Sequence, residues 1–219
     1  MSKTTHIIAV LDRSGSMSHL VDEVITNFNH FIKEQQSVEG KAKLTLVLFD
    51  DRYEVIYDEV DLQSVQPLTS DQYYARGMTA MYDALGKTLN DKQKKKKGIV
   101  FIHTDGLENA SREWNASRVK ELMDTLKEKW DFIFAGANID SFAEGANLGI
   151  LQTNTINVTN DASGMARSYA NFAAKATSYR SSGLAASASL DLDAIHDWND
   201  YEGTKETIIK TKTSGNISN

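Results

Sequence analysis

Apolar residues along the chain form short continuous runs that alternate with longer stretches of helical spacing. The first run, residues 6–11, is short, rich in β-branched residues and continuous. Such a run is typical of a strand that is buried on both faces of a sheet. Apolar residues between 18 and 36 then recur at helical intervals. Strand, loop and helix in this order predict the opening of a parallel α/β unit.

The same alternation continues to about residue 180. It predicts further strands at residues 43–49, 99–103, 131–135 and 155–158, and further helices at residues 80–89, 117–130, 141–148 and 161–179. Residues 53–60 alternate polar with apolar side chains and follow the second strand after a tight turn, which favours an antiparallel strand at a sheet edge. We therefore predict an α/β fold with a Rossmann-like, doubly wound and mostly parallel sheet, one antiparallel edge strand, and helices on both faces.

The character of the sequence changes after residue 180. Residues 181–189 are small and low in complexity, and residues 190–219 carry a few apolar side chains among acids before a polar end. We expect residues 1–180 to form the folded domain. We expect residues 181–219 to be a linker and an acidic, polar C-terminal tail that is partly disordered.

Composition limits the classes of partner and site. The 219 residues contain no cysteine and five histidines, so a metal would be held by oxygen atoms or by histidine. A net charge of −6 argues against nucleic acid as the main partner, and the lysine-rich segment at 92–97 is typical of a solvated turn. No apolar run approaches the roughly 20 residues of a membrane span, and no signal peptide is evident, so we expect a cytoplasmic protein without membrane contact.

Two acids follow predicted strands directly. Asp12 comes after the first strand and Asp105 after the strand at 99–103, and parallel strands deliver both acids to one sheet edge. Ser14 and Ser16 alternate with Asp12 in a loop that bends at a glycine, and Thr79 adds a hydroxyl at the start of a helix. Carboxylate and hydroxyl oxygens are ligands that Mg²⁺ accepts. The sequence therefore predicts a divalent-cation site at this edge.

These residues also resemble a known family. Asp12-Arg13-Ser14-Gly15-Ser16, the Gly77-Met78-Thr79 loop and the His103-Thr104-Asp105-Gly106 segment match, in order, the motif of von Willebrand factor type A (vWA) domains that carry a metal-ion-dependent adhesion site. The resemblance covers about residues 5–160 in its whole architecture and assigns residues 1–180 to a vWA domain. It implies that Ser14, Ser16 and Thr79 bind the metal directly, whereas Asp12 and Asp105 act mainly through water.

The resemblance implies a function as well. Such domains bind proteins through Mg²⁺, often by an acidic group of the partner, and are not usually enzymes; Mn²⁺ and Ca²⁺ are the alternative ions. The segment around Asp105 resembles stand-alone bacterial and phage vWA proteins. The alternatives are an assembly or structural protein of a phage or bacterium, and a Mg²⁺-dependent phosphohydrolase. The latter is disfavoured because no histidine–carboxylate pair is placed to activate Ser14 or Ser16.

Several neighbours of the motif have two readings. Asp83 is expected to be an acid of the first helical turn, although support of the site is the alternative. Glu108 and Asn109 would either shape partner selectivity or be solvated. Tyr73 and Tyr74 would either flank the metal face or pack. His103 is expected to be packed and hydrogen-bonded.

Overall fold

A computed structural model describes residues 4–95 and 97–214, without the side chains of residues 211–214. The described strands are β1 (Thr5–Asp12), β2 (Ala42–Phe49), β3 (Tyr53–Asp61), β4 (Gly98–Thr104), β5 (Trp130–Ala137) and β6 (Thr155–Val158). The described α-helices are α1 (Val21–Ser37), α2 (Met81–Lys92), α3 (Ala116–Leu126), α4 (Ser141–Asn147), α5 (Ala162–Ser182), α6 (Leu184–Ala188) and α7 (Trp198–Ser214). Each predicted strand and helix has a counterpart among them.

The strands form one sheet in the order β3-β2-β1-β4-β5-β6. β3 pairs with β2 in antiparallel register, and the other pairs are parallel. The predicted fold class is thus confirmed. The chain moves outward in one direction from β1 to β3 and in the other from β4 to β6. The strand order therefore reverses between β1 and β4, where ligands bind in open α/β sheets.

The position of β1 in the sheet explains why its sequence is continuously apolar. Ile7, Ala9 and Leu11 belong to the core on one face of the sheet, whereas Ile8 and Val10 belong to the core on the other face. All five side chains are essentially inaccessible to solvent. A central strand covered on both faces needs apolar residues at successive positions rather than alternate ones.

Helices cover the two faces. The first core packs α1 and α5 against the sheet, with α7 packed on α5, and the second packs α2 and α3 against the sheet. None of the helices in the described residues is long and apolar enough to cross a membrane.

The segment expected to be linker and tail contains α6 and α7 within the described residues. Leu192, Ile195 and Tyr201 are buried there, and Trp198 Nε1 donates to Asn27 Oδ1 on α1 at 2.8 Å. The division of the chain at residue 180 stays a prediction, and residues 215–219 lie outside the described residues.

The lysine-rich segment is partly paired. Lys92 Nζ lies 2.5 Å from Asp58 Oδ1, and Lys95 Nζ lies 2.8 Å from Glu59 Oε1. Asp58 and Glu59 are on β3. These two lysines therefore join the end of α2 to the edge strand, while Lys96 lies outside the described residues.

Candidate metal centre

Three loops meet where the strand order reverses. We call them loop 1 (residues 12–16), loop 2 (residues 73–80) and loop 3 (residues 105–115). Gly15 N donates to Gly77 O at 3.1 Å, which joins loop 1 to loop 2. Asn109 N donates to Thr79 O at 3.0 Å, and Thr79 N donates to Asn109 Oδ1 at 2.9 Å, which joins loop 2 to loop 3. Backbone hydrogen bonds thus fix the loops relative to one another before any ligand is considered.

The structure brings the five predicted site residues together. Ser14 Oγ and Ser16 Oγ lie 3.1 Å apart, and Ser16 Oγ donates to Asp105 Oδ1 at 2.5 Å. Asp12 Oδ1 accepts from the backbone N of Ser14 at 2.6 Å. A Cβ placed on Gly106 would lie 3.3 Å from Thr79 Oγ1 and 3.7 Å from Ser16 Oγ, so the threonine hydroxyl faces the same small space.

The donor set fits a hard divalent cation. Asp105 Oδ2 is buried and has no hydrogen-bond partner among the described residues. An unpaired buried carboxylate oxygen is costly unless a cation or water meets it. Three hydroxyls lie within the same cluster, and hard cations such as Mg²⁺ prefer an all-oxygen set. Ser14, Ser16, Thr79 and Asp105 are thus the residues whose oxygens are arranged to hold such an ion.

Asp12 has a different role in the cluster. Its Oδ1 accepts from the backbone N of Ser14, and its Oδ2 accepts from Thr104 Oγ1 at 2.5 Å. Both oxygens therefore already accept protein hydrogen bonds. Burial raises the pKa of Asp12 to about 6, although the bonds from Thr104 and Ser14 oppose that shift. A buried carboxylate with a raised pKa is stabilised by a nearby positive charge.

A buried charge cluster supports loop 1 from behind, and the sequence analysis missed it. Arg13 Nε donates to Asp50 Oδ2 at 2.9 Å, and both side chains are fully buried. Arg76 Nε donates to the same oxygen at 2.7 Å. Burial opposes ionisation of Asp50, but the two arginines outweigh it and keep its pKa below the usual range. The sequence signal for this cluster was a charged residue, Arg13, inside a small polar loop.

The two tyrosines of loop 2 have different environments. Tyr73 is buried, and its hydroxyl donates to the carbonyl of Asp12 at 2.5 Å, so it packs behind loop 1. Tyr74 is 42% exposed and lies beneath the guanidinium groups of Arg13 and Arg76. Tyr73 is thus a packed residue, whereas Tyr74 is a surface residue whose place beside the metal face stays a prediction.

Glu108 is half-buried and Asn109 is exposed, and both make hydrogen bonds that join the loops. Glu108 Oε2 accepts from the backbone N of Tyr82 at 2.9 Å, and its Oε1 accepts from the backbone N of Ser111 at 2.7 Å. Asn109 N donates to the carbonyl of Thr79, and Asn109 Oδ1 accepts from the backbone N of Thr79. Both side chains hold loop 3 against the beginning of α2.

Asp83 supports loop 3, which is the reading that the sequence analysis ranked second. It lies in the first turn of α2, as expected. Its Oδ1 accepts from the backbone N of Glu113 at 2.9 Å and of Trp114 at 2.7 Å, and its Oδ2 accepts from that of Arg112 at 3.0 Å. The partners are about 30 positions away in the chain, so local periodicity could not show them.

His103 is packed, as predicted, but the predicted hydrogen bonding is wrong. Its ring centroid lies 5.9 Å from those of Phe101 and Tyr169, and neither ring nitrogen has a partner among the described residues. Burial lowers the pKa of His103 to about 4. The imidazole is thus a neutral core group directly below the metal centre.

A second group of possible ligands lies far from the loops. His30, Glu34 and Glu202 have ligand atoms within 4.8 Å of one another. Glu34 also forms an ion pair with Lys205. Because a protein cation already meets that carboxylate, we assign this group no metal.

Comparisons with known proteins place the fold in a class. No protein-family model matches the sequence, and no curated protein matches it. The fold is similar to a von Willebrand factor type A protein from Catenulispora acidiphila, with a TM-score of 0.58 and 14% identity over 80% of this chain and 43% of that one. It is also similar to the vWF domain of the type V pili tip protein Mfa5 from Porphyromonas gingivalis, with a TM-score of 0.59 and 11% identity over 79% of this chain and 95% of that one.

A further similar structure contains a metal. Proximal thread matrix protein 1 from the mussel byssus was solved with zinc in its metal-ion-dependent adhesion site motif; it has a TM-score of 0.52 and 17% identity over 74% of this chain and 42% of that one. This chain therefore spans less than half the length of that protein and of the Catenulispora protein.

The open, doubly wound sheet defines the class as a Rossmann-like α/β domain, with the oxygen cluster at the switch point of the strand order. Within that class, the chain has the fold of a vWA domain, as the resemblance implied.

Proposed function

We propose that this chain is a metal-dependent protein-binding module. Ser14, Ser16 and Thr79 hold Mg²⁺ directly, and Asp12 and Asp105 hold it mainly through water. An acidic side chain of a partner protein completes the coordination. Mg²⁺ retains exchangeable water ligands in such sites, so an incoming carboxylate has a position to take.

The unpaired oxygen of Asp105 is the observation that carries this proposal. It is buried beside hydroxyls from loops 1 and 2, and hydrogen bonds already join these loops to loop 3. A preorganised oxygen cluster of this kind binds a cation with little conformational cost. The zinc found in the adhesion-site motif of the byssus protein, at a similar fold, supports metal binding here.

Binding rather than catalysis is proposed because, in the described residues, no histidine–carboxylate pair contacts these hydroxyls, and the carboxylate that Ser16 contacts belongs to the proposed metal site. Ser14 Oγ contacts Ser16 Oγ, and Ser16 Oγ contacts Asp105. His19 lies near loop 1, but its Nδ1 contacts the carbonyl of Ser16 and not the Ser16 hydroxyl. Nucleophilic hydroxyls need an adjacent general base. Two proteins of similar fold are a pilus tip protein and a thread matrix protein, which favours a partner within an assembly. The cytoplasmic location stays a prediction.

Mg²⁺ titration tests the proposed metal site. Mg²⁺ should raise the melting temperature of the wild-type chain, because a ligand that binds only the folded state stabilises it by RT ln(1 + [L]/Kd), about 2.7 kcal/mol at a hundredfold excess over Kd. Thr79→Ala and Asp12→Asn should abolish that increase. Differential scanning calorimetry with Mg²⁺, Mn²⁺, Ca²⁺ or EDTA measures it and ranks the ions.

Thr125→Ala is the matched control, because Thr125 is an exposed threonine on α3 whose hydroxyl bonds only to the carbonyl of Leu122. It should keep the full Mg²⁺ response. An equal response in wild type and Thr79→Ala would overturn the site.

A further inference from the structure

Exposed apolar side chains gather around the candidate metal centre. Met78 on loop 2 is 51% exposed and Leu107 on loop 3 is 56% exposed. Tyr74, also on loop 2, is 42% exposed. The other large apolar side chains found exposed in the described residues, Val55, Phe142, Leu151 and Ile209, belong to four separate parts of the chain. The loops of the metal centre therefore carry a local concentration of exposed apolar surface.

Met78 and Leu107 are direct chain neighbours of the site. Met78 precedes Thr79, and Leu107 follows Gly106, whose α-carbon faces the hydroxyls of Thr79 and Ser16. Both backbone segments are fixed by the bonds between the loops described above. Met78 and Leu107 are therefore exposed side chains on hydrogen-bonded loops, each next in the chain to a residue that faces the hydroxyl cluster. Apolar side chains held rigidly at a polar site mark an interaction surface more often than scattered single ones do.

The charges at the metal centre indicate which ligand this surface would bind. Asp12 and Asp105 supply two negative charges, which equal the two positive charges of the ion they would surround. A partner carboxylate would then be drawn to the ion alone. Arg76 is already paired with Asp50 and Glu54, so a partner carboxylate is drawn to the ion rather than to this guanidinium group. The complementary ligand thus combines one negative charge with apolar surface next to it.

We propose that the partner segment carries an acidic side chain with a large apolar side chain beside it. The acid binds the metal, and the apolar neighbour packs on Met78 and Leu107. This inference rests on the proposed function, because the metal fixes where the acid lies. It adds the chemistry that selects among acidic partners: an acid between small polar residues would coordinate the ion but leave Met78 and Leu107 in water.

A displayed library of random peptides tests the proposal. The full-length protein is immobilised and selected in Mg²⁺ and, in parallel, in EDTA. We expect Asp or Glu to be enriched in Mg²⁺ alone, together with Leu, Ile, Met or Phe at an adjacent position. The double variant Met78→Ser with Leu107→Ser should keep the acid enrichment and lose the apolar one. Its affinity for the enriched peptides should fall about tenfold, as loss of apolar burial at two side chains predicts.

Two controls separate the inference from the function on which it rests. Leu151→Ser removes an apolar side chain that is 69% exposed and outside the three loops, and it should select the same peptides as wild type. The Mg²⁺-induced rise in melting temperature should be unchanged in the double variant, which shows that its metal site is intact. Acid enrichment without apolar preference would overturn this inference and leave the function standing. Absence of any Mg²⁺-dependent acid enrichment would overturn both.

Discussion

Asp83 shows how one side chain can set the position of a whole loop. Its carboxylate accepts three backbone N–H groups of residues 112–114. Burial alone would raise the pKa of Asp83, but these three donors outweigh it, so the pKa lies below its usual range. A lowered pKa in the native state means that the ionised carboxylate stabilises the fold.

Asp83→Asn should lower the free energy of unfolding by about 1–3 kcal/mol at neutral pH, because an amide accepts fewer of these bonds and carries no charge. The sign of the pH dependence follows from the lowered pKa. The difference between wild type and variant should be constant above pH about 5 and should shrink as the pH falls below about 4, through the native pKa of Asp83. Urea unfolding at several pH values measures it.

Asp124→Asn is the control for this prediction. Asp124 pairs with Lys120 and Lys127 on the exposed side of α3. Exposed pairs of this kind contribute little to stability because solvent screens them. A loss of stability at Asp124→Asn as large as that at Asp83→Asn would contradict the role assigned to Asp83.

At the scale of elements, α2 packs against loop 3 through a glycine. A Cβ built on Gly86 would lie 2.0 Å from Cδ2 of Trp114, so the indole ring occupies the space that a side chain would fill. Helix propensity alone predicts that Gly86→Ala stabilises α2 by about 1 kcal/mol. We expect the opposite, a net destabilisation, because Trp114 would have to move and its backbone is held by Asp83.

Gly203→Ala provides the matched comparison on α7, where a Cβ would meet nothing within 4 Å. It should stabilise the protein by about 0.5–1 kcal/mol, as propensity predicts. Thermal unfolding of both variants decides the matter. If Gly86→Ala melted higher than wild type, the packing of Trp114 on α2 would be refuted.

The elements were predictable from sequence because their signals are local. The continuous apolar run of β1 reports burial on both faces, and the acids after β1 and β4 fall at one edge by the geometry of parallel strands. Contacts distant in sequence gave no such signal. Arg13 and Asp50 are separated by 37 positions, and each alone looks like a solvated charge. The helix α7 was missed for a related reason: its few apolar residues are spaced among acids and lysines, and their burial depends on α1 and α5.

At the scale of the whole molecule, α5 lies between the sheet and the C-terminal helices. Phe172 stacks on Phe31 of α1 and on Phe101 of β4. Arg180, near the end of α5, donates to the carbonyls of Gln35 and Val38 at the end of α1. The face of α5 turned away from the sheet contacts α7. The described C-terminal residues therefore cover part of the main core rather than extend from it.

Tyr201 provides the sharpest test of that arrangement. It is fully buried on α7, its hydroxyl lies 3.3 Å from Thr177 Oγ1 on α5, and that oxygen also accepts from Gln35 Nε2 of α1 at 2.9 Å. Tyr201→Ala would leave a cavity between three helices and should lower the free energy of unfolding by about 3 kcal/mol or more. Ile209→Ala, at a side chain 39% exposed on the same helix, should change it by less than about 1 kcal/mol.

These two variants also test the division of the chain at residue 180. If residues 181–219 were a dispensable tail, both variants and a chain ending at Ser182 would have the same melting temperature as wild type. If α7 is part of the core, Tyr201→Ala should melt well below Ile209→Ala, and the shortened chain lower still. Because α5 also packs on the strand that precedes loop 3, the shortened chain should then lose the Mg²⁺-induced rise in melting temperature along with its stability. Calorimetry of the four proteins with and without Mg²⁺ distinguishes the two outcomes.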